Sequence, residues 1–288
     1  MTEERGGKEM RKLFAALVLV GTVMWAAAAF AAAPIVVDGS TTVLPFAQAG
    51  VEQYMKQNPG VKFSVSGTGT GNGFKSLADG SAKIADASRF IKDSEVKTCM
   101  DKKVYPVPFA IALDCIVPIV HPGNKVKSLS LEQLKNIYAG KVINWKEVGG
   151  ADAPIVVVGR DSSSGTNGTW QELVMDRDGK TRVTPKAQVV ASSGAMMTTI
   201  AQNKNAIGYD GMGYVSKSVK AVSVNGIAAS AAGARSGKYP LSRYLYMFTN
   251  GWPEGDVMDF INFMLSRSGQ KIVASTGFVP LQELGKGK

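Results

Sequence analysis

The sequence predicts an α/β fold of two lobes, and three observations carry that reading. Short β-branched runs alternate with stretches of helical period along the chain, an order that belongs to layered α/β architecture rather than to a sandwich or a bundle. The 288 residues are 45% hydrophobic and 19% charged, so they can bury a large core. Without a leader-like N-terminus about 255 residues remain, more than one ordinary domain holds. No low-complexity linker cuts this length, so the chain must cross between lobes along extended segments, for which residues 110–117 and 221–226 are the candidates.

The N-terminal residues 1–33 read as a signal peptide. Met10-Arg11-Lys12 opens a basic stretch, residues 13–30 are almost wholly apolar, and Ala29-Phe30-Ala31 runs into Ala32-Ala33-Pro34, the small residues that signal peptidase requires. A retained anchor is the alternative, because about 18 apolar residues can span a bilayer. Met10 competes with Met1 as the start, since the acidic residues before it are foreign to such leaders. Cleavage would lower the formal net charge from +10 to +9. No Lys/Arg block is interleaved with aromatics as a nucleic-acid groove requires, and a basic exported protein suits small anions equally well.

Beyond the leader, Ile35-Val36-Val37 reads as a strand, and Ala47, Val51, Tyr54 and Met55 follow at the spacing of one helix face. Residues 61–65 form a second strand before SGTGTGNG, with FKSLADG starting the next helix. Leu131, Leu134 and Ile137 mark another helix, and residues 155–158 another strand. Val257, Phe260, Ile261, Met264 and Leu265 mark a longer helix near the end.

Three of these strands lead into loops of one kind: DGSTT after residues 35–37, SGTGTGNG after residues 63–65, and GRDSSSGTNG after residues 155–158. One such loop is an ordinary solvated turn with N-cap residues. Three between strand ends and helix starts supply hydroxyls, close backbone approach at glycine and unpaired N–H groups, with Arg160 as a counter-charge, which is what a tetrahedral oxyanion needs. Competing chemistries fail on spacing. Lys75 follows Phe74 where a nucleotide-binding loop needs Gly-Lys, and Gly67, Gly69, Gly71 and Gly73 alternate without giving G-x-G-x-x-G. Ser162, Ser163 and Ser164 lie in no G-x-S-x-G frame. His121 is the only histidine, which leaves neither a triad base nor a metal cluster. Cys99 and Cys115, an even pair in an exported chain, are expected to form a disulfide, with two buried thiols as the alternative.

The motifs DGSTTVLP, SGTGTGNGFKSLADGSAKIADASR, LSLEQLKNIYAGKVINW, GRDSSSGT, AIGYDGMGYV and TGFVPL stand in the order seen in the periplasmic phosphate-binding proteins of phosphate ABC transporters. The chain resembles that family over essentially all of residues 34–288. The resemblance implies a type II-like periplasmic binding protein fold, with residues 34–112 and 222–288 in one lobe, 113–221 in the other, and a hinge beside a central anion cleft. It implies phosphate bound through Thr41, Thr42, Thr70, Ser88, Arg160, Ser164, Gly165 and Thr166, with Ser40, Arg89 and Asp161 bracing them. Well-known members carry an aspartate in the ASR segment that accepts the proton of hydrogen phosphate. This chain has Ser88 there, so Asp161 becomes the candidate acceptor, or else the group that orients Arg160 or caps the following helix. The resemblance further implies a monomer in the periplasm that hands phosphate to membrane permease subunits, with no catalytic residue, cofactor, metal or nucleic acid. Another oxyanion, such as sulfate or molybdate, and a secreted phosphatase on the same scaffold are the alternatives.

Overall fold

The β-branched run after the leader forms β1 (Ile35–Gly39), which pairs in parallel with β2 (Phe63–Ser66) on one side and β3 (Ile84–Ala87) on the other. Parallel neighbours need crossovers, supplied by α1 (Leu44–Gln57) and α2 (Thr70–Ala78). Pro45 is tolerated in α1 because an N–H in the first helical turn has no intrahelical partner. The computed structural model describes residues 33–175 and 180–284. The segment read as a signal peptide lies outside them except for Ala33, and none of the described helices is long and apolar enough to cross a membrane.

After α3 (Asp93–Asp101) the chain enters β4 (Pro106–Val120), a strand of 15 residues that carries the longest apolar run of the fold. A short β5 (Ser128–Leu129) and α4 (Leu131–Tyr138) follow, the helix opening on a capping box in which Ser130 and Gln133 satisfy each other's backbone N–H groups. Next come β6 (Val156–Arg160), α5 (Gly165–Trp170) running into a π-turn at Gln171–Met175, β7 (Gln188–Val190), α6 (Ser193–Gln202) and β8 (Ala206–Gly211). The C-terminal part adds β9 (Lys220–Ala221), β10 (Ser223–Val224), α7 (Ala231–Arg235), β11 (Ser242–Asn250), α8 (Gly255–Leu265), α9 (Arg267–Ser275) and β12 (Val279–Pro280).

The main sheet runs β2-β1-β3-β11-β4-β8-β6-β7, with β9 and β12 also pairing on β4 and a separate parallel pair of β5 with β10. β11 and β4 form a central antiparallel pair, flanked by two wings, β2-β1-β3 and β8-β6-β7, that are parallel within themselves. Ligand crevices of such sheets lie beyond the carboxyl ends of the parallel strands. The core divides accordingly. Val37, Phe46, Ile84, Ile111, Leu245, Met247 and Phe260 belong to one buried cluster, and Leu113, Ile119, Tyr138, Trp170, Ile207, Tyr209 and Leu241 to another. A third cluster gathers Phe74, Leu77, Cys99 and Phe248. Each fully buried side chain of this size contributes about 1.5–3 kcal/mol by leaving water.

The structure differs from the sequence reading at three places. The second helix starts at Thr70 rather than at Phe74, so Gly71 and Gly73 of the glycine-rich run lie in its first turn. Gly73 lies against β1 so closely that a Cβ would come within 2.7 Å of the Asp38 carbonyl oxygen and of Gly39 Cα. Residues 110–117 do pass between the two large clusters within β4, but Val222 and Val224 stay inside the second cluster. The chain passes between them again in β11, between Leu241 and Leu245, and at the start of β12, between Phe278 and Val279. The expected disulfide is not formed: Cys99 and Cys115 are buried free thiols in different clusters, so a bridge would have to join two separate cores. Burial raises the pKa of both thiols, that of Cys115 to about 11.

Candidate functional site

The first loop leaves β1 through Gly39, at φ +140, where a Cβ would lie 2.2 Å from the Asp86 carbonyl oxygen. Only glycine allows that turn. Ser40 then braces the loop: its N–H donates to the Asp86 carbonyl (2.8 Å), and its hydroxyl accepts from the N–H groups of Thr42 (3.2 Å) and Val43 (3.4 Å). This leaves the hydroxyls of Thr41 and Thr42, both buried, facing other loops. The second loop turns at Gly69, at φ +108, and ends on Thr70, whose hydroxyl oxygen accepts from the Ser88 N–H (3.1 Å) and lies 3.4 Å from Ser88 Oγ. Ser88 directly follows β3, so two loops meet at the ends of β2 and β3, the parallel strands on either side of β1.

The third loop begins as β6 ends on Arg160. Ser164 caps α5, its hydroxyl accepting from the Asn167 N–H (3.2 Å). Gly165 packs against the second loop at a distance no side chain permits: a Cβ there would be 2.4 Å from Thr70 Oγ1 and 2.5 Å from Ser88 Oγ. Thr166 Oγ1 lies 2.9 Å from Thr42 Oγ1, and the Gly71 N–H donates to the Ser163 carbonyl (2.8 Å). Thr41, Thr42, Thr70, Ser88, Arg160, Ser164, Gly165 and Thr166 thus converge on one place, all of them buried.

Arg160 is 4% exposed and makes four hydrogen bonds. Nη1 donates to Asp210 Oδ2 and to Ser193 Oγ (both 3.3 Å), and Nη2 donates to Thr41 Oγ1 (2.9 Å) and the Ala191 carbonyl (3.2 Å). Ser193 Oγ in turn donates to Asp210 Oδ1 (2.9 Å). A second buried pair lies on the central strands: Arg243 Nε and Nη2 both donate to Asp114 Oδ2, at 3.0 and 2.8 Å. Burial pushes the carboxyls of Asp114 and Asp210 upward in pKa, and their arginines act against that shift. With each arginine matched by an aspartate, the charges of the site balance, and it presents mainly hydroxyl and N–H donors. Among the described residues no cluster of His, Cys, Asp and Glu could hold a metal ion.

Of the three residues expected to brace the site, Ser40 holds the first loop, and Asp161 and Arg89 have partners other than Arg160. Asp161 Oδ1 accepts from the N–H (2.8 Å) and hydroxyl of Ser163, which shapes its own turn, while Asp210 takes the place beside Arg160. Arg89 turns away from the convergence: its guanidinium forks onto Glu95 with two 2.7 Å bonds and lies over the Phe74 ring, 5.6 Å from the centroid. Sequence reasoning missed Ser193, Asp210, Asp114 and Arg243. The YDG of AIGYDGMGYV offered the same strand-end acid and glycine as DGSTT, and Asp114 is the lone charge in a 15-residue apolar strand, where a charge must be paired. Arg243 carried no comparable signal.

The chain matches the PBP superfamily domain over residues 26–268. It is 30% identical to the phosphate-binding protein PstS of Bacillus subtilis over 88% of this chain and 83% of that one. The PstS of Borreliella burgdorferi is 31% identical over 85% of this chain and 89% of its own length. Among solved structures, a substrate-binding protein assigned to a phosphate ABC transporter of Clostridium perfringens, with phosphate bound, superposes with a TM-score of 0.80 at 35% identity, covering 87% of this chain and all of the other. An ABC-type phosphate transport receptor from Vibrio cholerae gives 0.69 at 33% identity, covering 85% of this chain and 99% of the other. Fold, strand-end loops and these similarities agree, and the chain belongs to the PBP superfamily, within its PstS phosphate-binding proteins.

Proposed function

We propose that this protein binds inorganic phosphate where the three loops meet and delivers it to the permease of an ABC transporter. One observation carries the reading: hydroxyls and backbone N–H groups from the ends of β1, β2, β3 and β6 converge beside a buried arginine whose carboxylate partner is already in place. A desolvated phosphate has four oxygens to satisfy, and short donors held by secondary structure satisfy them with little reorganisation. Thr41, Thr42, Thr70, Ser88, Ser164, Gly165 and Thr166 supply the donors in this reading, and Arg160 supplies the charge.

The two wings act as lobes that close on the ion. Within β4 the core divides between Ala112 and Leu113, which supports a hinge there, and β11 supports the return crossing between Leu241 and Leu245. The protein works as a monomer in the periplasm after export, and it releases its ligand unchanged. Calorimetry of ligand-stripped protein against phosphate, arsenate, sulfate and molybdate tests the reading: tight binding of phosphate and arsenate with weak sulfate is expected, and heat only with sulfate or molybdate overturns it. A phosphomonoester incubated with the same preparation is expected to stay intact, and its steady hydrolysis would establish an enzyme instead.

A further inference from the structure

Arg243 lies outside the three loops, yet its side chain reaches both partners of the cleft. It projects from β11 with the side chain 4% exposed, and its Nη1 donates to the Ser88 carbonyl oxygen (2.8 Å) and to Thr166 Oγ1 (3.0 Å). The other side of the guanidinium is occupied by Asp114 Oδ2, while Asp114 Oδ1 accepts from the Met212 N–H (3.0 Å). The pair lies directly under the first loop, since a Cβ on Gly211 would meet Asp114 Oδ2 at 2.8 Å and Thr42 Cγ2 at 2.9 Å.

Two consequences follow from donor and acceptor chemistry. A guanidinium N–H can only donate, so Thr166 Oγ1 must accept from Arg243. Its single proton then points elsewhere, towards Thr42 Oγ1 at 2.9 Å or towards an anion that enters between them. The Ser88 carbonyl, an acceptor that would repel an anion, is likewise occupied by Arg243 and by the Thr169 hydroxyl (3.3 Å). We propose that Arg243, held by Asp114, is a positioning residue of the anion site: it makes Thr166 an obligatory donor and ties the Ser88 and Thr166 loops together across the cleft. The inference rests on the phosphate-binding reading above.

The test is a thermodynamic cycle by calorimetry with inorganic phosphate on wild type, R243Q/D114N, T166V and the triple variant, with thermal unfolding followed by circular dichroism. Replacing both members of the ion pair avoids leaving a buried charge alone. The pair variant is expected to lose roughly 10- to 100-fold in phosphate affinity, as for a charge-assisted hydrogen bond, and T166V a comparable amount. Because Arg243 acts through Thr166, the triple variant should fall no more than about threefold below the pair variant. A pair variant within about threefold of wild type overturns the proposal, as do losses that multiply in the triple variant, which mark a merely structural role. Should the pair variant not fold, Arg243→Lys decides. An ammonium cannot reproduce the fork on Asp114 while reaching Thr166, so a loss of roughly tenfold is expected and wild-type affinity overturns the proposal. Wild type that binds no phosphate would overturn the parent reading and this inference with it, a result distinct from wild type that binds and a variant that binds equally.

Discussion

Replacing Arg160 by alanine should separate what this residue does for the ligand from what it does for the fold. In the structure the guanidinium is 4% exposed, and its Nη1 and Nη2 reach Asp210, Ser193, Thr41 and the Ala191 carbonyl. Truncation removes one of the two positive charges that touch the convergence of hydroxyls, and a charge-assisted hydrogen bond to an anion is worth about 1.5–3 kcal/mol, or roughly 10- to 150-fold in phosphate Kd. It also leaves Asp210, 1% exposed, with only Ser193 and the Gly211 N–H as donors. Breaking a buried pair in this way costs about 3–5 kcal/mol of stability, which for a chain of this size lowers Tm by roughly 6 to 20 °C. The double variant Arg160→Ala/Asp210→Asn removes the orphaned charge and should recover most of the Tm but none of the affinity. Calorimetry with phosphate and scanning calorimetry of the ligand-free proteins read the two effects separately. Near-native affinity in the double variant would place Arg160 outside the binding site, and an undiminished Tm in Arg160→Ala would contradict the energetics of the buried pair.

Three further predictions rest on separate observations. Mass spectrometry of protein unfolded without reductant should find two alkylatable thiols, since Cys99 and Cys115 belong to different cores, and a linked peptide pair would contradict that arrangement. Gly165→Ala should weaken phosphate binding about tenfold or more, because its Cβ would sit 2.4 Å from Thr70 Oγ1 and overpacking costs about 1–3 kcal/mol; unchanged affinity would mean that the loops need not approach this closely. Asp86 is 1% exposed, neither of its carboxyl oxygens has a hydrogen-bond partner, and burial, reinforced by Asp38, pushes its pKa well above the ordinary range. The folded protein therefore keeps this proton at pH values where the unfolded chain has released it, so stability falls as pH rises from the ordinary aspartate range through the folded value. Asparagine does not titrate, and Asp86→Asn should gain on wild type in denaturant midpoint between pH 5 and pH 8; an equal gap at both would refute the assignment.

Local chemistry was enough to name the three donor-bearing loops. A β-branched run ending in Asp-Gly-Ser-Thr-Thr, or in Gly-Arg-Asp-Ser-Ser-Ser-Gly-Thr, states within one short stretch that a strand stops, a helix starts and donors lie between them. The helix faces of Val51 and Tyr54, of Leu134 and Ile137, and of Phe260, Ile261 and Met264 were legible for the same reason, since helical period needs only neighbours a few residues apart, and all of these side chains are buried. What lay beyond the sequence was everything decided by approach through space. Gly73 and Gly165 read as loop glycines, but their role is set by Gly39 and by Thr70 and Ser88, which a different part of the chain brings to them. Arg160 could equally have met Asp161, its neighbour. The closing of β6 beside β8 gave it Asp210, 50 residues on, while Asp161 turned to Ser163. Arg243 and Asp114 are 129 residues apart, on adjacent strands of the central pair. A buried charge takes whichever partner the folded sheet sets beside it, and that choice is made by strand order, which no local pattern encodes.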